Sequence, residues 1–186
     1  PDHAYFDRRF GTNRWTKGHL LNYSIGQGEV LATPLQLCQM ISIFANGGKR
    51  IKPHVVRRIV DVEGRSMTSD AWDAVNLPSI ERGVLQTIRR AMERVVGGER
   101  GTGRAAAVPG IRVAGKTGTS QNPHGEDHAL FVAYAPADDP EIALTIVMEN
   151  AGHGGAMAAP VARGILFYYF DRKSKEEALS LSLIHI

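Results

Sequence analysis

At 186 residues and 43% hydrophobic, the chain is long enough to bury one core and has the composition of ordinary globular material. Its net charge of +3 is spread over separated arginine pairs (Arg8-Arg9, Arg57-Arg58, Arg89-Arg90) with acidic residues between them, which argues against a nucleic-acid partner, since such binders gather their basic residues on one stripe. The single cysteine, Cys38, excludes an intrachain disulfide, and no apolar run approaches the ~20 residues of a membrane span.

Both ends read as artificial. The chain starts at Pro1 without a methionine, and Leu181-Ser182-Leu183-Ile184-His185-Ile186 reads like a translated adapter from a sequencing library. The expected organisation is one domain segment over residues 1–171, a polar tail over 172–180 and the adapter over 181–186, all cut from a longer gene.

Residues 1–30, with Tyr5, Phe6, Phe10, Trp15 and Tyr23 between polar and glycine positions, are expected to be irregular segments wrapped on a core. A helix is predicted over 34–46. Thr33 is a good N-cap, Pro34 suits the first turn, and Gln36 completes a capping-box pattern. Leu37, Met40, Ile41 and Phe44 recur at helical spacing, and Asn46-Gly47-Gly48 supplies the stop. Cys38 inside that run reads as a small buried hydrophobe.

Residues 52–62, rich in β-branched side chains, are predicted as a strand, and 64–76 as a polar excursion. A second helix is predicted from Ser79 as N-cap, with Ile80, Val84, Ile88, Ala91 and Val95 on one stripe and Gly97-Gly98 at its end. After Gly101-Thr102-Gly103 come three predicted strands, over 111–120, 129–135 and 142–149. The last two are joined by a turn-rich link, Pro136 to Pro140, short enough for a hairpin. An apolar helix over 160–170 closes the chain. The predicted class is α/β in the α+β, layered sense: an antiparallel sheet packed by helices.

Chemistry points to Gly115-Lys116-Thr117-Gly118-Thr119-Ser120. On a strand, Lys116 supplies a fixed positive charge and Thr117 and Thr119 offer hydroxyls. Gly118 lacks a side chain, so a substrate backbone can pair with the strand edge, where a main-chain N–H can also donate to a developing oxyanion. Lys-Thr-Gly is one of three signature motifs of β-lactamases and penicillin-binding proteins; the others are Ser-x-x-Lys and a Ser-Asp-Asn type.

The blocks around the motif carry a resemblance. Tyr5-Phe6-Asp7-Arg8, Ile25-Gly26-Gln27-Gly28, Thr33-Pro34-Leu35-Gln36, Ala45-Asn46-Gly47-Gly48, the Lys116 motif, His128-Ala129, Glu149-Asn150, Gly152 to Gly155 and Ala159-Pro160 occur in one family's order. The chain resembles class B penicillin-binding proteins of the elongation type, the penicillin-binding protein 2 group, from Pro1 to about Phe170. The resemblance implies the penicillin-binding protein and serine β-lactamase type of transpeptidase fold, incomplete at its N-terminus, and a parent enzyme needing no cofactor. That enzyme cross-links peptidoglycan stem peptides and is acylated by β-lactam antibiotics. The resemblance gives Lys116 and Thr119 catalytic roles, the first by charge and a hydrogen bond to the second motif's serine, the second through a main-chain oxyanion donor. Thr117, Gly118, Thr119 and Ser120 then form the substrate-binding strand, with the Thr117 and Thr119 hydroxyls on the terminal carboxylate. It also implies an inner-membrane anchor, a periplasmic domain and partners among elongation-machinery membrane proteins.

No serine in the chain has a lysine three residues later, so the nucleophile is not in it, and the chain alone is expected to be inactive. Ser120-Gln121-Asn122 abuts the lysine motif, whereas the family's second motif lies well upstream. His124 and His128 flank a Gly-Glu-Asp step after Pro123 and read as a solvated turn, with Asp127 and His128 candidates for a cleft rim. Gly101-Thr102-Gly103 follows a helix instead of opening one, which argues against a phosphate cradle. Gly152 to Gly155 reads as a flexible turn. The rival readings are a non-catalytic β-lactam sensor or pseudoenzyme, a secreted β-lactamase and a division-type class B protein.

Overall fold

The computed structural model describes residues 2–12, 14–28, 30–56, 58–66, 75–76 and 80–184, and side chains as far as residue 176. They fall into two compact units, residues 1–33 and 34–186.

The first unit is built on two helices, α1 (His3–Phe10) and α2 (Lys17–Ser24), where sequence reading expects irregular chain. Local hydrogen bonds explain the difference. Asp2 Oδ1 accepts from the Tyr5 N–H at 2.8 Å and caps α1; that bond, above all, holds the Asp2 carboxyl below its usual range. The Thr16 N–H donates to His19 Nδ1 at 3.0 Å, so a histidine does the work of the glutamate or glutamine of a capping box at the start of α2. Phe6, 2% exposed, is the centre of this unit, with ring centroids of Trp15 at 5.2 Å and Phe10 at 6.1 Å, and Trp15 Nε1 donates to Asp7 Oδ1 at 3.0 Å.

The second unit is layered, as expected. Its sheet has the order β3 (Ala114–Ser120), β4 (His128–Ala135), β5 (Ile142–Met148), antiparallel throughout, and the β4–β5 hairpin uses the predicted Pro-Asp turn. Helix α3 (Pro34–Ala45) ends as its glycines predict: Gly47 has φ +77°, and the Gly48 N–H returns to the Ile43 carbonyl at 2.8 Å. Helix α4 (Arg82–Gly97) is the second predicted helix, begun at Glu81; Ser79 lies outside the described residues. Helix α5 (Ala158–Ile184) starts near the predicted place and runs beyond residue 170.

The described residues of 52–62 do not form the predicted strand. Among the described residues nearby, β1 (Lys49–Arg50) pairs antiparallel with β2 (Val75–Asn76), and a bridge joins Val60 and Ser66. Val55 and Val62 are fully exposed, and Pro53 has no N–H to donate, so β-branched composition alone did not bring a partner strand.

Side-chain alternation along β4 divides the core. Ala129, Phe131, Ala133 and Ala135 face α5, meeting Ala158, Ala162 and Leu166, while Val132 and Tyr134 face α3 and α4, meeting Ile41, Ala45 and Met92. Both faces of β4 are thus covered, which accounts for its unbroken apolar sequence. The Arg89 guanidinium lies 5.9 Å from the Tyr134 ring centroid and donates to the Ala137 carbonyl at 2.9 Å. Burial pushes the Tyr134 hydroxyl pKa up, with Arg89 pulling the other way.

Candidate active site

Strand β3 lies at one side of its sheet, with only β4 paired to it among the described residues. Its seven residues, Ala114–Ser120, include all the predicted site residues. Alternation sets their directions. Ala114 enters the α3–α4 side of the core, so Lys116, Gly118 and Ser120 stand on that face. Gly115 faces Phe131 on the opposite side, together with Thr117 and Thr119. The structure therefore puts the five predicted residues on one strand and divides their side chains between its two faces.

Lys116 is exposed, and its Nζ donates to the Thr117 carbonyl at 2.6 Å, so the ammonium lies along the strand. Thr117, Gly118 and Thr119 are half-buried, and Ser120 is exposed. Thr117 Oγ1 is 2.9 Å from Thr102 Oγ1. Thr102 carries no signal of its own in the sequence, because it sits between two glycines that only loosely resemble a phosphate loop. The glycines are there for packing. A Cβ on Gly101 would run into backbone carbonyl oxygens of α4, and one on Gly103 would lie 2.9 Å from the Phe131 ring. The Gly103 N–H donates to the Val95 carbonyl at 2.9 Å. This loop turns off the end of α4 and delivers the Thr102 hydroxyl to β3.

A second close approach comes from the turn before α5. Gly154 is buried, and a Cβ there would overlap the carbonyl oxygens of Leu130 and Gly118 and come within 3.1 Å of the Gly118 nitrogen. A Cβ on Gly155 would overlap the Thr102 carbonyl oxygen and lie 3.6 Å from Thr117 Cγ2. Gly152 to Gly155 is thus a fitted segment beside the lysine motif and not merely a flexible turn. Thr102, Thr117 and Gly155 meet at one point.

Between Arg82 and Lys116 the sequence has eight basic residues and two acidic ones, although the whole chain carries only +3. Of these, Arg112 is paired with Glu93 and Asp138. Arg94 and Arg100 line a groove of ≈ 450 Å³ that also includes Thr102. Asp127 and His128, the candidate rim residues, make hydrogen bonds to the turn after β5: the Ala151 and Gly152 N–H groups donate to the Asp127 carbonyl, and the Asn150 N–H donates to His128 Nδ1. Among the described residues, no three His, Cys, Asp or Glu side chains come together as a metal site.

A helix-flanked antiparallel sheet with Lys-Thr-Gly on an outer strand defines the class of serine acyl-transfer domains to which β-lactamases and penicillin-binding proteins belong. The chain belongs to the penicillin binding protein transpeptidase domain family, whose pattern it matches over residues 6–166. It is 36% identical over 179 residues to the peptidoglycan D,D-transpeptidase MrdA of Haemophilus influenzae, covering 86% of this chain and 27% of that protein. Among solved structures it resembles Pseudomonas aeruginosa PBP2 in complex with WCK 5153, at 34% identity and TM-score 0.72, over 89% of this chain and 35% of the other. It also resembles penicillin-binding protein 3 of Mycobacterium tuberculosis complexed with aztreonam, at 27% identity and TM-score 0.72, over 92% of this chain and 46% of the other. The chain spans about a quarter of the length of the curated relatives it matches.

Proposed function

We propose that the chain is the C-terminal part of the transpeptidase domain of a peptidoglycan D,D-transpeptidase of the elongation type. The observation that carries this reading is the Lys116-Thr117-Gly118-Thr119 strand at the sheet's outer side, with Thr117 tied to Thr102. In the complete protein a serine upstream of Pro1 attacks the carbonyl of the penultimate D-alanine of a stem peptide. The carbonyl–nitrogen bond breaks, terminal D-alanine leaves as the protonated amine, and the acyl group passes to an amine of a neighbouring stem. β-Lactams acylate the same serine.

Lys116 contributes positive charge beside the reacting centre. The Thr117 and Thr119 hydroxyls receive the terminal carboxylate, with Arg94 and Arg100 in the groove beside Thr102 adding positive charge nearby. Gly118 and Ser120 complete the strand along which the substrate backbone lies, and the Thr119 N–H serves as one oxyanion donor. An anchored periplasmic location beside elongation-machinery membrane proteins follows from the same reading; no helix among the described residues is itself long and apolar enough to cross a membrane.

The test is to recover the coding sequence upstream of Pro1, express the complete protein and treat it with a fluorescent penicillin and with a stem pentapeptide. A covalent adduct on an upstream serine of a Ser-x-x-Lys, together with D-alanine release and cross-linked product, is expected. An adduct without cross-linking identifies a β-lactam sensor, and a folded protein with neither is a pseudoenzyme.

Within this function Thr102→Val has a defined effect. It keeps the side-chain volume and removes the hydroxyl bonded to Thr117. Acylation by the penicillin should slow about fivefold, the equivalent of ~1 kcal/mol for one neutral hydrogen bond. An unchanged rate constant would show that Thr102 only supports the loop.

A further inference from the structure

The turn between β3 and β4, with the first residue of β4, is tied to the turn between β5 and α5 by four hydrogen bonds. Asn122 Nδ2 donates to Asn150 Oδ1 at 2.7 Å, and the Asn150 N–H donates to His128 Nδ1 at 3.0 Å. The Ala151 and Gly152 N–H groups donate to the Asp127 carbonyl at 3.0 and 2.8 Å. Asn122 is itself fixed within its own turn: its N–H meets Asp127 Oδ1 at 3.3 Å, and its Oδ1 accepts from the His124 N–H at 3.0 Å. Asn150 adopts φ +52°, a left-handed conformation that asparagine tolerates better than most residues.

Four and five residues beyond Asn150 lie Gly154 and Gly155, pressed against Gly118, Thr102 and Thr117. The Gly154 carbonyl already accepts from the Ala158 and Ala159 N–H groups at the start of α5. The segment is therefore held at both ends, by the asparagine pair and by the helix, and four residues leave little slack between them.

We propose that Asn122, His128 and Asn150 form a latch that positions the lysine-motif strand for acylation. On this proposal, Asn150 is a positioning residue acting through Gly154 and Gly155 on Gly118 and Thr117. The proposal rests on the functional reading above for its rate effect, but not for its structural effect.

The test uses the complete protein with N150G, N122A, the double variant and N150D. Glycine accepts φ +52° without strain, so N150G removes only the amide. N150G and N122A should each slow acylation by the fluorescent penicillin, per titrated active site, roughly tenfold. The double variant should fall within about twofold of the worse single one, because both remove the same contact. N150D, which keeps an acceptor for Asn122, should recover to within about threefold of the parent. Amide hydrogen exchange at residues 115–120 should speed up in N150G while residues 158–166 of α5 keep their protection.

Unchanged per-site acylation with a lower melting temperature, or additive single effects, would overturn the positioning role. A parent that takes no penicillin would sink the transpeptidase reading alone. Exchange at 115–120 would then decide the latch, with unaltered protection refuting it.

Discussion

Replacing Lys116 by glutamine in the complete protein is expected to slow acylation by a β-lactam at least about a hundredfold, the scale of losing one preorganised electrostatic contact to a developing charge. The same variant should stay folded, because glutamine keeps most of the side chain's length and Lys116 packs into neither core cluster of the sheet. The hydrogen bond that its ammonium makes, to the Thr117 carbonyl, is local and within the strand. Rate and stability thus separate the two roles open to this side chain. A lysine that only decorates an exposed strand leaves the time course of fluorescent penicillin labelling unchanged. A lysine whose charge acts on the reacting centre loses the rate and keeps the fold. Equal rates for the parent and K116Q would remove Lys116 from the mechanism.

The largest stability effect is expected at Gly154. Gly154→Ala adds one methyl group where two carbonyl oxygens, of Leu130 and Gly118, already fill the space, and both belong to paired strands that cannot yield independently. The expected cost is about 3 kcal/mol, in the upper range for overpacking. In the complete protein this should appear as a lower melting temperature than the parent's, by a few degrees. Gly164 is the matched control. It lies within α5, is exposed, and its Cβ would meet nothing within 4 Å, so Gly164→Ala should stabilise by about 0.5–1 kcal/mol. If thermal unfolding shows the two variants alike, the close approach of Gly154 to β3 is not tight.

The parts of the structure legible in the sequence are those whose cause is local. Helix α3 announces itself through its apolar spacing and the Asn46-Gly47-Gly48 stop. The β4–β5 hairpin shows in two apolar runs around a Pro-Asp turn, and the lysine motif in six consecutive residues. The helices α1 and α2 are harder to read although their signals are also local. Asp2 three residues before Tyr5 is an ordinary N-cap, but aromatic and glycine punctuation obscured it, and His19 is an unusual capping-box partner for Thr16.

What could not be read is what depends on distance along the chain. Thr102 meets Thr117 across 15 residues and Asn122 meets Asn150 across 28, and nothing in the neighbourhood of either residue records its partner. The same limit explains residues 52–62. Their β-branched side chains suit a strand, but strand formation needs a neighbour, and propensity does not supply one.

The fitted glycines also bear on how such a protein can evolve. Gly101, Gly103, Gly115 and Gly154 each abut backbone or a buried ring, so any side chain gained there forces α4, β4 or the lysine-motif strand to shift. Mutational drift toward new ligand preferences is closed at these positions. The exposed segment 123–126, beyond Asn122 and before Asp127, has side chains facing solvent and a turn already pinned at both ends. Variation between diverging lineages should therefore collect in that segment, leaving the glycine framework under it unchanged.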